Sequence, residues 1–309
     1  MTMKTTASTR LKLLDLALCQ APHTPLLLDQ LYKTSINEQS YTIAMKHFQN
    51  SLYQDANRGD LYRYFTLCRL SNQWDSLPYQ IERAFCQSSA THNLPLWNTA
   101  LSIKAYIDHY MKRTFTTSTS QLFNIKRDIY SEHIALNPSM NQDIISTLQR
   151  STTRHYEPKG QSTRKGDVIG FKWSDTETLS QLHSMIHTHL KRYMRRLQQH
   201  HPMMNHSSSA QSSHPWAISF TNGEHQISHI HPEGYISGIY YLINSHTKHS
   251  AGHLIMGSAP RDFIPVWDTH TITPTEGMLV LFPSYYFHST TPTDQHQKRL
   301  SIAFDYYLK

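Results

Sequence analysis

The chain has 309 residues, of which 38% are hydrophobic and 11% aromatic, and its formal net charge is +7. Its 18 tyrosines and 11 phenylalanines supply enough large side chains for a buried core, which excludes wholesale disorder. A mildly basic charge of this size bears on solubility and on weak attraction for anions, and it identifies no partner by itself.

The cysteines and the N-terminal residues indicate in which cellular compartment the protein is expected. The three cysteines are odd in number and form no Cys-x-x-Cys pair, which argues against a disulfide framework; they are Cys19, Cys68 and Cys86. The N-terminal apolar run is short and is interrupted by Asp15, so it predicts no secretory signal. Because no apolar run approaches ~20 residues, we expect a soluble cytoplasmic protein that does not enter a membrane.

Residues 1–150 are predicted to form a helical domain. Apolar residues recur at helical spacing in four stretches, which are residues 40–55, 59–70, 74–85 and 95–115. The polar turns between them suggest antiparallel helix pairs. We expect this domain to dock a substrate or a partner, since stacked helices offer extended binding surfaces.

The same region shows a weak internal repeat. Phe48 and its helical neighbours Ala44 and Leu52 are followed, near the period of a tetratricopeptide repeat, by Ile81 and Phe85. The glycine and proline positions of that repeat are missing. A tetratricopeptide-like stack and a plain helical bundle therefore both remain open.

Residues 151–309 are predicted to form a second domain. After a polar, turn-rich stretch, residues 176–200 predict one long amphipathic helix. Its apolar residues step by three and four along one packing face: Leu179, Leu182, Ile186, Leu190, Tyr193 and Leu197. The basic residues near its end suit a helix C-terminus, and without interleaved aromatic residues they argue against binding to nucleic acid.

The rest of the second domain reads as β-strands. Short runs rich in β-branched and aromatic residues are separated by Gly, Pro, Asn and Asp; the runs are residues 216–222, 235–244, 251–257, 277–284 and 299–308. Several short strands at this spacing indicate a sandwich or a barrel. The predicted fold class is thus α+β, with an all-α N-terminal domain followed by a β domain.

One constellation in the β domain carries chemistry. His229 and His231 point to the same face of a strand because side chains alternate with period two. In a chain with 22 histidines that pair alone would mean little. His288 follows a later strand, and Arg299 and Ser301 share a face shortly after it. A double-stranded β-helix enzyme needs this set: two close metal ligands, a distal histidine, and an arginine that grips a carboxylate through a bidentate fork.

The chain from about Gly160 to Lys309 resembles the 2-oxoglutarate/Fe(II) oxygenase family of bacterial and phage proteins. The motifs that carry the resemblance are specific in combination and cover about half of the chain; they are QSTRKGDV, WAISFTNGEHQISHIHPEGYISGIYYL, GHLIMGSAPR, and GMLVLFPSYYFHSTTP followed by RLSIAF. The helix at 176–199 matches the helix that precedes these motifs in the family. The N-terminal half of the chain lies outside the resemblance.

The resemblance implies a double-stranded β-helix that binds Fe(II), takes 2-oxoglutarate as cosubstrate and uses O2. His229 and His288 would be iron ligands. Arg299 would pair with the distal carboxylate of 2-oxoglutarate, to which Ser301 and Tyr241 would donate hydrogen bonds. Tyr240 alternates with Tyr241 across the sheet, so it would pack away from the site.

The third iron ligand departs from the common pattern. Most such enzymes use two histidines and one carboxylate with the spacing His-x-Asp/Glu, whereas His231 occupies the carboxylate position here. The favoured set is His229, His231 and His288. Alternatively, His231 and Glu233 form a His-x-Glu pair, or His231 is no ligand and water completes the site. Three neutral imidazoles would leave more positive charge on the metal, which would change its redox potential and anion affinity.

Three functions follow from this reading. The leading hypothesis is an enzyme, a 2-oxoglutarate/Fe(II)-dependent dioxygenase that hydroxylates a peptide, a protein or a small metabolite. The second is a cupin-type metal dioxygenase with three histidines and no cosubstrate, which leaves Arg299 and Ser301 without a role. The third is a non-catalytic scaffold whose helices bind a partner. The substrate is not defined, because substrate contacts in such enzymes come mainly from loops and appended domains.

Overall fold

The computed structural model describes residues 8–91, 93–111, 123–158, 161–198, 201, 210–212, 215–245, 251–260, 269–295 and 297–308. The chain divides into two compact units, Met1–Ile107 and Asp108–Lys309. The elements described in the first unit are helices, and the second contains antiparallel sheets with further helices. The α+β class predicted from the sequence is confirmed.

The first unit is built from successive helices. They are α1 (Thr9–Gln20), α2 (Pro25–Asn37), α3 (Thr42–Gln54), α4 (Arg58–Ser71), α5 (Leu77–Thr91) and α6 (Leu94–Met111), of which α6 runs to the unit boundary and past it. Side chains stabilise helix starts: the Ser8 hydroxyl accepts from the Leu11 amide, and the Asn57 side chain accepts from the Asp60 amide. None of the described helices combines the length and apolar character that crossing a membrane requires.

Helices α1 to α5 pack on one another in chain order, and α3 also contacts α1 and α5. The apolar residues that suggested a repeat lie on α3 and α5. Phe48 and Ile81 are fully buried, as is Ala44. The contact between α3 and α5 is compatible with stacked helix pairs, and tetratricopeptide character stays a prediction.

The second unit has three described helices: α7 (Ile125–Asp128), α8 (Pro138–Arg150) and α9 (Glu177–Gln198). The amphipathic helix predicted at 176–200 is confirmed as α9. All six residues of its predicted packing stripe are buried. They join one core with α8 and with the adjacent face of the main sheet, which explains why the apolar stripe is continuous along the helix.

The strands of this unit are β1 (Tyr130–His133), β2 (Arg154–Tyr156), β3 (Thr163–Arg164), β4 (Asp167–Gly170), β5 (Ala210–Ser212), β6 (Trp216–Thr221), β7 (His225–Gln226), β8 (Ile236–Asn244), β9 (Leu254–Met256), β10 (His270–Ile272), β11 (Met278–Pro283), β12 (His288–Thr290) and β13 (Lys298–Leu308). The main sheet has the order β1-β11-β8-β13-β6-β4-β2, with β5 also on β13, and a smaller sheet has the order β10-β9-β12. A large and a small antiparallel sheet form the double-stranded β-helix.

All five predicted strand runs contain a strand. Strand β1 was not predicted from the sequence. Its residues and those of α8 fall within residues 1–150, which were predicted to form the helical domain. In the structure β1 pairs with β11 at the edge of the main sheet, and residues from Asp108 onward group with the second unit. A strand of four residues is too short to show a period, so only its partner strand reveals it.

Alternate residues of strand β13 lie on opposite faces of the main sheet. Its alternate residues Leu300, Ile302, Phe304 and Tyr306 lie in the core beneath the helices. The intervening residues Arg299, Ser301, Ala303 and Asp305 therefore line the opposite, interior face of the β-helix. Three of these four are polar and all four are buried, which places the chemistry of this strand inside the β-helix.

Gly238 lies in the middle of the main sheet, where there is no room for a side chain. A Cβ at this position would overlap the Phe304 ring and lie 2.8 Å from the Leu281 side chain. We expect Gly238→Ala to lower the free energy of unfolding by ~1–3 kcal/mol. Urea denaturation measures this loss. Gly59→Ala, which meets only an atom at 3.5 Å, is the control, and equal effects of the two changes would contradict the packing argument.

Candidate metal centre and anion pocket

Three histidines converge inside the β-helix. His229 and His288 face each other across an antiparallel bridge, in which each amide donates to the other's carbonyl at 3.0 Å. His231 follows two residues later, and its amide donates to the Ser284 carbonyl at 2.9 Å. One nitrogen of each ring lies within 4.8 Å of the others. The spacing predicted from the sequence is thus realised as a cluster.

Hydrogen bonds fix how the three rings are turned. Each Nδ1–H donates outward: His229 to the Ile227 carbonyl at 2.8 Å, and His288 to the Tyr286 carbonyl at 3.0 Å. The third donor, His231 Nδ1–H, binds the Asp305 carboxylate at 2.8 Å. Because these acceptors cannot donate, each neutral ring keeps a lone pair on Nε2. Three lone pairs are thereby available to one metal ion between the rings.

This donor set fits a metal ion. Nε2 of His229 and Nε2 of His231 are 3.2 Å apart, and neither carries a proton to share in the neutral rings. Two lone pairs at that distance repel each other, whereas a cation between them attracts both. Imidazole nitrogens at about 2.1 Å from one metal, and roughly at right angles, are separated by about 3 Å. The separation in the structure matches that value.

Burial keeps the His229 and His288 rings neutral, as metal binding requires. Burial, with a smaller contribution from the neighbouring His231 ring, lowers the pKa of His229 to about 3. Burial also lowers the pKa of His288 well below its usual value, with smaller contributions from the other two rings. At neutral pH both side chains therefore offer a lone pair instead of a proton.

The lowered pKa values predict that the metal-free protein loses stability in acid. The unfolded chain protonates His229 near its ordinary pKa of 6.5, while the folded state resists protonation down to about 3. Stability therefore falls as pH drops below 6.5, by up to ~1.4 kcal/mol per pH unit for each such group. We expect His229→Gln to gain stability relative to wild type between pH 6.5 and 4.5, measured by urea denaturation. A difference that is constant with pH would contradict this.

Glu233, the alternative partner of His231, is not part of the cluster. Its side chain is exposed, and the donor atoms that the structure brings together among the described residues of this unit are those of His229, His231 and His288. The turn after His231 directs Glu233 outward. The structure thus favours three histidines over a His-x-Glu pair.

Arg299 forms a second feature of the interior. Its side chain is only 3% exposed, and its guanidinium lies 4.5 Å from the centre of the Phe220 ring. One Nη donates to the Gly252 carbonyl at 2.8 Å, while Nε is buried with no partner among the described residues. The ion pairs found among those residues do not include Arg299. A buried cation with an unsatisfied donor fits a carboxylate.

Tyr241 and Ser301 lie on the same interior face as Arg299. They are opposite each other on β8 and β13, and both are buried. Burial raises the pKa of Tyr241 to about 12, and the nearby Arg299 charge opposes that rise. The hydroxyl therefore stays protonated at neutral pH. Tyr240 points to the other face, where its hydroxyl donates to the Ile134 carbonyl at 2.9 Å, as the alternation predicted.

The sequence pattern did not reveal the group that holds His231. Asp305 accepts from His231 and also from the Ser237 hydroxyl at 2.6 Å, and Ser237 is 2.8 Å from the Ser284 hydroxyl. One signal was present: Asp305 continues the alternation of Arg299 and Ser301. An acidic residue at an interior position of a buried strand indicates a specific polar partner.

The chain was compared with known protein families, curated proteins and solved structures. Residues 214–305 match the family described as "Putative 2OG-Fe(II) oxygenase". The matched residues include the three histidines of the cluster and Arg299. No curated protein is significantly similar to the chain in sequence.

Solved structures that are similar to the chain include those of the following three proteins. A prolyl-4-hydroxylase from Pseudomonas putida is 14% identical, with 68% of this chain and 99% of that chain covered and a TM-score of 0.44. A Trichoplax adhaerens prolyl hydroxylase in complex with a hypoxia inducible factor peptide is 14% identical, with coverage of 67% and 90% and a TM-score of 0.44. HygX from Streptomyces hygroscopicus, with nickel and 2-oxoglutarate bound, is 11% identical, with coverage of 63% and 88% and a TM-score of 0.40.

The resemblance seen in the sequence is confirmed over residues 214–305, where the family model matches. Over residues 214–305 the chain matches the model of the 2-oxoglutarate/Fe(II) oxygenase family, whose members use Fe(II), 2-oxoglutarate and O2.

Proposed function

We propose that the chain is an Fe(II)- and 2-oxoglutarate-dependent dioxygenase that hydroxylates a peptide, a protein or a small metabolite. One oxygen atom of O2 would enter the substrate as a hydroxyl group, and the other would enter succinate as 2-oxoglutarate loses CO2. The observation that carries this proposal is the presence of two complementary features inside one β-helix. Three imidazole lone pairs converge, and a buried arginine lies on the same interior with an unsatisfied donor.

The roles of the residues follow from their geometry. His229, His231 and His288 would hold iron through Nε2, since Nδ1 of each ring is occupied by an outward hydrogen bond. Bound iron supplies the activation of O2. Arg299 would pair with the distal carboxylate of 2-oxoglutarate, and its burial would strengthen that ion pair. Tyr241, which keeps its proton, and Ser301 would donate hydrogen bonds to the same carboxylate.

The helical unit would bind the substrate or a partner protein. Its first two helices expose large apolar side chains, which would add apolar area to such a contact: Leu13 is 62%, Leu16 63% and Leu26 69% exposed. Stacked helices also provide an extended surface for recognition. We therefore expect a peptide or protein substrate to contact this unit.

Turnover assays separate the proposed function from a cupin-type dioxygenase. The purified protein with Fe(II) should convert 2-oxoglutarate into succinate, and O2 uptake should require 2-oxoglutarate. Removal of iron with a chelator should stop both. Uptake of O2 that proceeds equally well without 2-oxoglutarate would support the cupin alternative and overturn the proposal.

A further inference from the structure

His231 differs from the other two histidines in what its outer nitrogen binds. His229 and His288 each donate Nδ1–H to a main-chain carbonyl, which is a neutral acceptor. His231 donates instead to the Asp305 carboxylate at 2.8 Å. His231 is also the residue that stands where most two-histidine sites of this kind place a carboxylate ligand. The negative charge missing from the cluster is therefore found immediately behind it.

Asp305 is held firmly in that position. Its Oδ1 also accepts from the Ser237 hydroxyl at 2.6 Å, and Ser237 lies 2.8 Å from the Ser284 hydroxyl. Both serines are completely buried, and Asp305 is 8% exposed. The three residues come from β8, the turn after β11, and β13. An acceptor fixed by separate elements can hold an imidazole in one orientation.

Gly234 shows how tightly this arrangement is packed. A Cβ at this position would lie 2.7 Å from the Ser284 hydroxyl and 3.0 Å from Cβ of Asp305. The glycine in the sequence His-Pro-Glu-Gly therefore lets the turn after His231 pass over the carboxylate. On the other side, the Trp216 ring lies 5.6 Å from the His231 ring, centre to centre. These contacts on two sides of the ring restrict the orientation of His231.

We propose that Asp305 is the positioning residue of His231. Its carboxylate, on the far side of the His231 ring from the metal, supplies the negative charge that a carboxylate ligand supplies in sites with two histidines and one carboxylate. This inference rests on the proposed function, because it assumes that the cluster holds a metal. A carboxylate hydrogen-bonded to a ligating imidazole fixes its tautomer and makes its nitrogen a stronger donor. The three-histidine cluster thereby gains charge compensation without losing its third imidazole.

The test uses Co(II) alone as the probe, so that 2-oxoglutarate and turnover do not enter. Apo-protein is titrated with Co(II) and followed by visible absorption, for wild type and Asp305→Asn. The asparagine keeps an acceptor for His231 and removes the charge. We expect the Co(II) affinity to fall about 10–100-fold. Asp294→Asn removes the same charge from an exposed residue before β13, and we expect its affinity to stay unchanged.

Two further measurements keep the inference open to refutation if Asp305→Asn folds poorly. Ser237→Ala removes the hydroxyl that donates to Asp305, and we expect it to weaken Co(II) binding in the same direction by a smaller factor. In ¹⁵N-histidine spectra of the apo-protein, His231 should carry its proton on Nδ1 in wild type and lose that strict preference in Asp305→Ala. His231→Gln assigns the signal.

The outcomes separate the two proposals. If wild type binds Co(II) and Asp305→Asn binds it equally well, Asp305 is an ordinary hydrogen-bond acceptor and the inference is overturned while the metal centre stands. Unchanged affinity in folded Ser237→Ala counts against it in the same way. If wild type binds no Co(II) at all, the metal centre of the proposed function is lost, and the role of Asp305 is lost with it.

Discussion

Replacement of Arg299 by alanine is expected to weaken 2-oxoglutarate binding by about 30-fold or more. Removing one partner of a buried, hydrogen-bonded ion pair costs ~2–5 kcal/mol, which corresponds to roughly 30- to 4,000-fold in affinity. Arg299 is buried on the interior strand with an unsatisfied Nε, so no solvent would substitute for it. The dissociation constant of 2-oxoglutarate, measured by calorimetry on the Co(II)-loaded protein, tests this expectation.

Two controls make the Arg299 result specific. Lys298→Ala removes a positive charge from the adjacent, exposed position of β13, and we expect it to leave the affinity nearly unchanged. Arg299→Lys keeps a charge and removes the planar fork, so we expect an intermediate loss. Co(II) binding should be the same in all of these proteins. An Arg299→Ala protein that binds 2-oxoglutarate as tightly as wild type would exclude the proposed anion pocket.

Replacement of His231 by alanine is expected to reduce metal affinity at least about 100-fold. Protein sites with four ligands bind zinc with ~10–16 kcal/mol, which is roughly 3 kcal/mol for each ligand. His231 offers its Nε2 to the same position as His229, 3.2 Å from it, so its loss removes one ligand of three. Titration of the apo-protein with Co(II) or with anaerobic Fe(II) gives the affinity.

Glu233→Ala is the matched control for His231→Ala. The glutamate lies two residues further along the same turn, but its side chain is exposed. We expect its replacement to leave metal affinity within about two-fold, since solvent and salt screen an exposed charge. The reverse pattern, in which Glu233→Ala releases the metal and His231→Ala retains it, would establish the His-x-Glu assignment instead.

Local periodicity explains what the sequence predicted. The six apolar residues of α9 step by three and four, and the structure buries all of them. The side chains of β13 alternate between the two faces of the sheet, and this alternation alone predicts that Arg299 and Ser301 share one face. The strand run around Tyr241 and the His-x-His spacing are equally local. In each case neighbouring residues along the chain carry the information.

Long-range contacts explain what the sequence could not predict. Asp305 is separated from His231 by 74 positions and from Ser237 by 68, so only the pairing of β8 with β13 brings these residues together. The short strand β1 is recognisable only from its partner β11. The choice between His231 and Glu233 depends on which way a turn directs its side chains. Residue type and spacing leave that choice open.

The central claim is that the three histidines and Arg299 form one site for iron and 2-oxoglutarate. Its most direct test is an anaerobic titration of the Fe(II)-loaded protein with 2-oxoglutarate, followed by visible absorption. We expect a weak charge-transfer band in wild type and no band in Arg299→Ala at the same 2-oxoglutarate concentration. Wild-type protein that holds Fe(II) but shows no band at saturating 2-oxoglutarate would contradict the claim.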